Sequence, residues 1–123
     1  MTTLVELNDN VSLGEQMQSD EDGSVVLINV FTVDPADEET MLATWARDAQ
    51  VMRSQPGYIS TQLHKGIGGS PTYVNYAVWE SVEAFRNAFM NPDFQAKLGD
   101  YPESTTISPH LFKKLAVSGF CVA

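Results

Sequence analysis

The sequence predicts an α+β domain of ferredoxin-like type, in which a four-stranded antiparallel sheet carries two helices on one face. The first observation is that strand-like and helix-like segments follow one another in the order β-α-β-β-α-β between residues 25 and 117. The second is the length of 123 residues, which suits one domain that buries roughly two thirds of its unfolded surface. The expected organisation is an acidic N-terminal extension over residues 1–24, followed by the ferredoxin-like domain over residues 25–123.

The first strand and the first helix have clear limits. The run "VVLINVFTV" (25–33) is apolar and of strand length. Asp34 then offers a helix cap and Pro35 stands in the first turn, while "PG" (56–57) ends the helix. Apolar residues recur in this helix at spacings of three or four, so they form one stripe that must lie against the sheet: Met41, Leu42, Trp45, Ala49 and Met52.

A hairpin and a second helix follow. "YISTQLH" (58–64) and "TYVNYAVW" (72–79) flank a glycine-rich loop, which predicts two antiparallel strands. In "SVEAFRNAFM" (81–90), Ser81 caps a helix whose buried stripe is Val82, Phe85 and Phe89.

The two ends of the chain are less regular. "NPDFQAKLG" (91–99) adds a turn or two, and residues 110–117 are the expected last strand. The extension before residue 25 holds at most one short strand or a packed arm. Its acidic residues favour either a solvated segment or one that covers a cavity mouth or a strand edge.

The charge and the cysteine content exclude several classes of function. The net charge is −9, from 16 acidic and 7 basic side chains, so neither nucleic acid nor an anionic membrane is an expected partner. Cys121 is the single cysteine and cannot form an internal disulfide, which favours a reducing, cytoplasmic setting. The first residues contain neither a basic, apolar signal peptide nor a membrane span.

The strands separate into two unlike faces, because side chains alternate along a strand. One face is aliphatic or β-branched. The other is expected to combine aromatic rings with polar groups: Asn29, Phe31, Ser60, Gln62, His64, Tyr73, Asn75 and Trp79. Two helices cover only one face, so a second copy of the chain is expected to cover the aliphatic face in a homodimer packed sheet to sheet. The aromatic and polar face then lies under the helices as a cavity for a planar organic ligand.

Three segments resemble the antibiotic biosynthesis monooxygenase family: "LINVFTVDPADEE", "QPGYISTQLH" and "YVNYAVWESVEAF". The resemblance implies a dimeric α+β barrel made of two ferredoxin-like subunits. Members of this family include oxygenases that convert polycyclic anthrones to quinones with dioxygen and without a cofactor. The resemblance therefore implies a monooxygenase that needs no metal, flavin or haem and acts on an anthrone-like or phenolic polyketide in a tailoring step of secondary metabolism.

The family's site residues carry over in part. Asn75, Trp79, His64 and Asn29 match family positions that are associated with the reaction. Phe85 stands where one well-known family pattern has a tyrosine, and the expected arginine falls at Gly99. These two departures leave open a non-catalytic barrel that binds a small ligand, or a cyclase or isomerase of the same fold.

The haem-degrading branch of the family shares the fold and the first-strand Asn. Its iron-binding histidine and its helix tryptophan would fall near Leu98 and Ala88 in this chain. The residues thus lack the expected iron ligand, and the resemblance implies neither haem degradation nor a metal site.

Each candidate residue has a functional and a structural interpretation. Asn29, Asn75 and Trp79 would donate hydrogen bonds to an oxyanion or a peroxide, and His64 would act as the base. Alternatively, Trp79 is core, Asn75 caps a helix end or loop, Asn29 faces main chain or the dimer seam, and His64 is half exposed. The resemblance and the face assignment together place aromatic side chains against the substrate: Phe85, Phe89, Trp45, Phe31 and Tyr73.

Overall fold

The computed structural model describes residues 3–123, which form a mixed sheet with helices packed on one side. In chain order the elements are β1 (Thr3–Leu4), α1 (Leu13–Met17), β2 (Val25–Thr32), α2 (Glu38–Arg53), β3 (Tyr58–Lys65), β4 (Thr72–Trp79), α3 (Val82–Phe89), α4 (Pro92–Lys97) and β5 (Thr106–Phe112). Single 3-10 turns at Pro35–Asp37 and Leu98–Asp100 precede α2 and follow α4.

The sheet has the ferredoxin-like strand arrangement, with one addition. Its order is β1-β5-β2-β4-β3, and β2 pairs antiparallel with both β4 and β5 while β3 pairs antiparallel with β4. The short strand β1 pairs with β5 in parallel. The prediction of a four-stranded, purely antiparallel sheet is therefore wrong in strand number and in strand direction, because part of the N-terminal extension joins the sheet.

The last strand begins earlier than the sequence indicated. It runs over Thr106–Phe112 and not over residues 110–117, because it pairs with β2 from Thr32 opposite Thr106 to Val26 opposite Phe112. Pro109 lies within this strand, and proline removes a main-chain donor that a strand normally uses. The proline made this stretch look like a loop.

The N-terminal segment covers the outer edge of β5. Beyond the short β1, the Gln16 side chain acts as a strand backbone would. Its Nε2 donates to the Leu111 carbonyl oxygen at 2.9 Å, and its Oε1 accepts from the Leu111 N–H at 2.9 Å. A capping box between Ser12 and Glu15 begins α1 and positions Gln16. Of the alternatives for the extension, the structure shows the one in which it covers a strand edge.

Helices α2 and α3 bury their inner faces against the sheet. In α3 the buried residues are Val82, Phe85 and Ala88, as an apolar stripe requires. In α2 they are Met41, Thr44 and Asp48, while Leu42 is 38% exposed and lies outside the stripe. The α2 interface is thus more polar than the expected run of apolar residues.

A β-bulge in β3 decides which side chains face the helices. Tyr58 lies opposite Trp79, but Ser60 lies opposite the next residue of β4, Val78, so β3 has one extra residue at Ile59. Beyond the bulge, the alternation of faces is shifted by one position. Thr61 and Leu63 therefore point to the helices, whereas Ser60, Gln62 and His64 point away.

The expectation that His64 lies under the helices is wrong for this reason. His64 pairs with Val74 on the outer face of the sheet and is exposed.

Among residues 3–123, no helix is both long enough and apolar enough to cross a lipid bilayer.

Candidate active site

A cavity lies between the inner face of the sheet and the three helices α2, α3 and α4. Its floor comes from β2, β3, β4 and β5, and its roof comes from the helices and from the segment that follows α4. Most of its wall is apolar, with rings contributed by Phe31, Trp45, Tyr58, Trp79, Phe85, Phe89, Phe94 and Tyr101. A lining of aromatic and apolar side chains with a few polar groups is typical of sites that bind largely apolar organic molecules.

Two asparagines lie side by side on the floor. Asn29 and Asn75 are directly opposite each other in the pairing of β2 with β4. The Ser108 N–H donates to Asn29 Oδ1 at 3.1 Å, and the Thr61 hydroxyl donates to Asn75 Oδ1 at 2.5 Å. Because protein groups already donate to both amide oxygens, each asparagine still has its NH2 group to donate a hydrogen bond to a ligand. Neither Nδ2 donates to a protein atom among residues 3–123.

Trp79 supplies a third donor. Its side chain is only 1% exposed, and edge contacts to Tyr58 and Phe85, with centroids 5.6 and 5.9 Å away, fix its ring. Its Nε1 is buried, and no atom of residues 3–123 accepts a hydrogen bond from it. A buried polar group without a partner costs about 1–3 kcal/mol, so native structures usually give it one. A bound molecule with an acceptor would complete this hydrogen bond.

Asp48 is the matching acceptor on the roof. It belongs to α2, lines the cavity and is 5% exposed, and its Oδ1 has no hydrogen-bond partner among the described residues. Burial raises the pKa of its carboxyl to about 6, although a hydrogen bond from Tyr101 and the charge of Lys97 act in the opposite direction. Burial, followed by the neighbouring Asp48 charge, raises the pKa of Tyr101 as well, so its phenol stays protonated.

The structure brings together most of the residues that the sequence suggested. Seven of them line the cavity: Asn29, Phe31, Trp45, Asn75, Trp79, Phe85 and Phe89. Tyr73 does not. Its ring stacks on Phe31 with centroids 5.6 Å apart, and its hydroxyl donates to Glu38 Oε1 at 2.6 Å, so it supports the wall from behind. His64 is also absent from the cavity, since the bulge turns it to the other face.

Four lining residues with polar side-chain groups were not predicted as part of the site: Asp48, Tyr58, Thr61 and Tyr101. A signal for Asp48 was present, because it falls three residues after Trp45 and four before Met52, where a helix stripe that faces a sheet should be apolar. Thr61 was assigned to the wrong face because the bulge is not visible in the alternation. Tyr101 lies in a polar loop and gave no signal.

Within residues 3–123, no three His, Cys, Asp or Glu side chains are grouped closely enough to hold a metal ion.

The sequence also matches a known protein family. The protein-family model described as "Antibiotic biosynthesis monooxygenase" matches residues 24–97, which is more than half of the 123-residue chain. The chain belongs to this family. Its similarity to individual members extends over most of the domain for structures and over a shorter stretch for curated sequences.

One similar solved structure is that of SnoaB, a cofactor-independent oxygenase from Streptomyces nogalater. It is 30% identical, with a TM-score of 0.68, over 79% of this chain and 98% of SnoaB. Deoxynogalonate monooxygenase, also from Streptomyces nogalater, is 38% identical over 72 residues, and the match spans 57% of this chain and 58% of that protein. Rv0793 from Mycobacterium tuberculosis, at 18% identity and a TM-score of 0.62 over 78% of this chain, shows the shared fold alone.

Proposed function

We propose that the protein is a monooxygenase that oxidises an anthrone-like or phenolic polycyclic substrate with dioxygen, without metal, flavin or haem. One observation carries the proposal. An aromatic cavity holds three side-chain donors on its floor, Asn29 Nδ2, Asn75 Nδ2 and Trp79 Nε1, and none of them donates to a protein atom of residues 3–123. The proposal extends to this chain what the names of SnoaB and deoxynogalonate monooxygenase say of those proteins.

The chemistry explains why such donors are useful. Ground-state dioxygen reacts slowly with closed-shell molecules, but an electron-rich carbanion or phenolate can pass it one electron and then form a carbon–oxygen bond. The protein then needs to stabilise first an oxyanion and then a peroxide, in a place without bulk water. A fixed donor aimed at a developing oxyanion lowers the barrier by roughly 3–4 kcal/mol. The two amide groups are fixed by Ser108 and Thr61, and the indole by its neighbouring rings.

The experiment follows oxygen uptake by the purified, chelator-treated protein with dithranol, an anthrone. We expect turnover above the uncatalysed rate, and a fall in kcat of about 100-fold in Asn75→Ala and in Trp79→Phe, because each removes one donor. Asn87→Ala, which changes an exposed asparagine of α3, is the matched control and should leave kcat unchanged.

Two results would contradict the proposal. One is the absence of any rate above background, and the other is an unchanged kcat in both cavity variants. Thermal stabilisation by dithranol without turnover would favour the second candidate, a barrel that binds a small ligand without oxidising it. The second candidate is supported by Phe85, which lines the cavity at a position where the family pattern has a tyrosine.

We further propose that two copies associate through the outer face of the sheet, as a dimeric α+β barrel. Large apolar side chains are exposed there, including Tyr76 on β4, which is 40% exposed, and Phe112 at the end of β5. Light scattering at micromolar concentration should give twice the 13.5 kDa chain mass. Tyr76→Glu should give monomers, whereas Ile67→Glu in the hairpin loop should not. A monomeric wild-type protein would contradict this.

The cytoplasmic location and the limits of the acidic extension stay predictions.

A further inference from the structure

We propose that the Asp48 carboxylate is the catalytic base of this cavity, which takes the proton that the substrate must lose before it reacts with dioxygen. The inference rests on the proposed function, because it assigns a residue to the first step of that reaction. It starts from a simple observation. The roof of the cavity contains a buried carboxyl group with a free oxygen, and the described structure gives that oxygen no task within the fold.

The position of Asp48 is unusual for a structural carboxylate. It lies on the buried side of α2 and is 5% exposed, where an apolar residue would pack at no desolvation cost. The Tyr101 hydroxyl acts to lower the pKa of the carboxyl group, yet Oδ1 has no hydrogen-bond partner among residues 3–123. An acceptor on the roof and three donors on the floor line one cavity. A substrate bound in this cavity would therefore meet both a proton acceptor and donors for an oxyanion in the same lining.

The charges around Asp48 keep it usable as a base near neutral pH. Burial raises the pKa of the carboxyl to about 6, and Asp100 also raises it, whereas Tyr101, Lys97 and Arg47 act to lower it. On the floor, the groups that face the cavity are uncharged amides and an indole. At pH 7 most molecules therefore carry an ionised Asp48, and a base is most effective when its pKa lies close to the working pH.

Other candidate bases are absent from the described lining of the cavity. His64 points to the outer face, and His110 lies against Gln16, with their Nε2 atoms 3.1 Å apart. Phe85 has no hydroxyl. Tyr101 stays protonated because burial and Asp48 raise its pKa. Asp48 is the one carboxylate among the described residues that line the cavity.

The proposed steps balance for an anthrone methylene. Asp48 takes one proton from the CH2 group, and the electron pair stays on the ring system. The carbanion gives one electron to dioxygen, and the two radicals join to form a carbon–oxygen bond and a peroxide anion. Protonated Asp48 gives its proton to the outer peroxide oxygen. It then removes the second C–H proton as the O–O bond breaks and the ketone forms. The released hydroxide takes that proton, so the products are the quinone carbonyl and water.

The test compares Asp48→Asn with the wild-type protein in the dithranol oxygen-uptake assay. We expect kcat at pH 7 to fall about 100-fold or more, since general base catalysis contributes about 100- to 10,000-fold. At a pH at which the dithranol methylene is itself ionised, the variant should recover part of the wild-type rate, because the first proton is already lost and hydroxide in solution is available to take the second. A change that only damaged the structure would not recover. Glu39→Gln, an exposed carboxylate in the first turn of α2, is the matched control and should keep the wild-type rate.

A second variant tests the same assignment without touching the carboxylate. In Tyr101→Phe the hydroxyl that lowers the Asp48 pKa is lost, so the acidic limb of the kcat profile should shift to higher pH. Tyr101 is a positioning residue in this scheme. An effect on folding alone would lower the rate without moving the limb.

The outcomes separate this inference from the proposed function. If the wild-type protein does not consume oxygen with dithranol, the proposed function fails and this assignment fails with it. If the wild-type protein is active but Asp48→Asn keeps its rate and its pH profile, the function stands and the assignment of Asp48 is wrong. Loss of activity in Asp48→Asn that persists when the substrate is ionised would also overturn it, in favour of a structural role.

Discussion

Replacing Gly57 by alanine should destabilise the protein more than the same change at Gly68. Gly57 lies in the turn between α2 and β3, with φ of +86°, and its carbonyl oxygen accepts from the Glu80 N–H at 2.8 Å. A Cβ at this position would come well within 3.0 Å of the Ala84 Cβ on α3. Gly68 in the hairpin loop has φ of +69°, and a Cβ there would meet nothing within 4 Å.

The two sites differ by one physical effect. A left-handed conformation costs alanine about 1–2 kcal/mol, and this applies to both variants. At Gly57 the added methyl group must also push α3 away from the turn, and overpacking of this kind costs about 1–3 kcal/mol. We therefore expect Gly57→Ala to lower the free energy of unfolding by about 2–5 kcal/mol and Gly68→Ala by about 1–2 kcal/mol.

Urea denaturation followed by circular dichroism measures both free energies of unfolding. Replacing Ala84 by glycine tests the contact itself, because it removes the methyl group that the new Cβ at position 57 would meet. Ala84→Gly by itself should cost about 1 kcal/mol as a glycine in a helix. In the Gly57→Ala, Ala84→Gly double variant, the crowded methyl has been removed, so the two losses should fall short of additivity by about 1–3 kcal/mol. Additive losses, or equal losses for Gly57→Ala and Gly68→Ala, would refute the contact argument.

Two further predictions concern the edge of the sheet and the buried carboxylate. Gln16→Ala should lower the free energy of unfolding, measured by urea denaturation, by about 1–3 kcal/mol, because the N–H and the carbonyl oxygen of Leu111 lose their partner. An effect no larger than that of Gln18→Ala would contradict this. The pKa of Asp48 in the folded protein, about 6, lies above the ordinary aspartate value of 3.8. Because this pKa is higher in the folded than in the unfolded state, the carboxyl group contributes stability below pH 4, and this contribution is lost as pH rises through 6. Between pH 4 and 7, the free energy of unfolding of the wild-type protein should therefore fall by up to about 3 kcal/mol relative to that of Asp48→Asn. A stability difference that does not change with pH would contradict the shift.

The regular parts of the fold were predictable because each carries its own local signal. Strand β4 was predicted with the bounds that the structure shows, and the Ser81 cap placed α3 correctly. The N-terminal strand was not predictable in this way. Two residues have no periodicity, and their pairing depends on Thr106 and Ile107, which are about a hundred positions away in the chain. Only the tertiary structure brings them together.

The candidate site was predictable where strand alternation holds and not where it is interrupted. Asn29, Asn75 and Trp79 could be placed on one face because β2 and β4 pair without a shift. The same reasoning failed for His64, since an extra residue at Ile59 changes the face of every later side chain in β3. Asp48 was overlooked for another reason. The predicted helix stripe included only apolar residues, so the polar residue on the buried side of the helix was not considered, although such a residue often marks a site.

A departure from regular strand pairing also helps to orient the donors of the floor. The bulge in β3 turns Thr61 inward, and its hydroxyl then donates to Asn75 Oδ1. Without the extra residue at Ile59, Thr61 would point to the outer face of the sheet and Asn75 Oδ1 would lose this partner. In β5, the main-chain N–H of Ser108 donates to the side-chain Oδ1 of Asn29. Each contact holds one amide by its oxygen and leaves the NH2 group to donate. The bulge is therefore part of how the cavity obtains two fixed donors at adjacent positions.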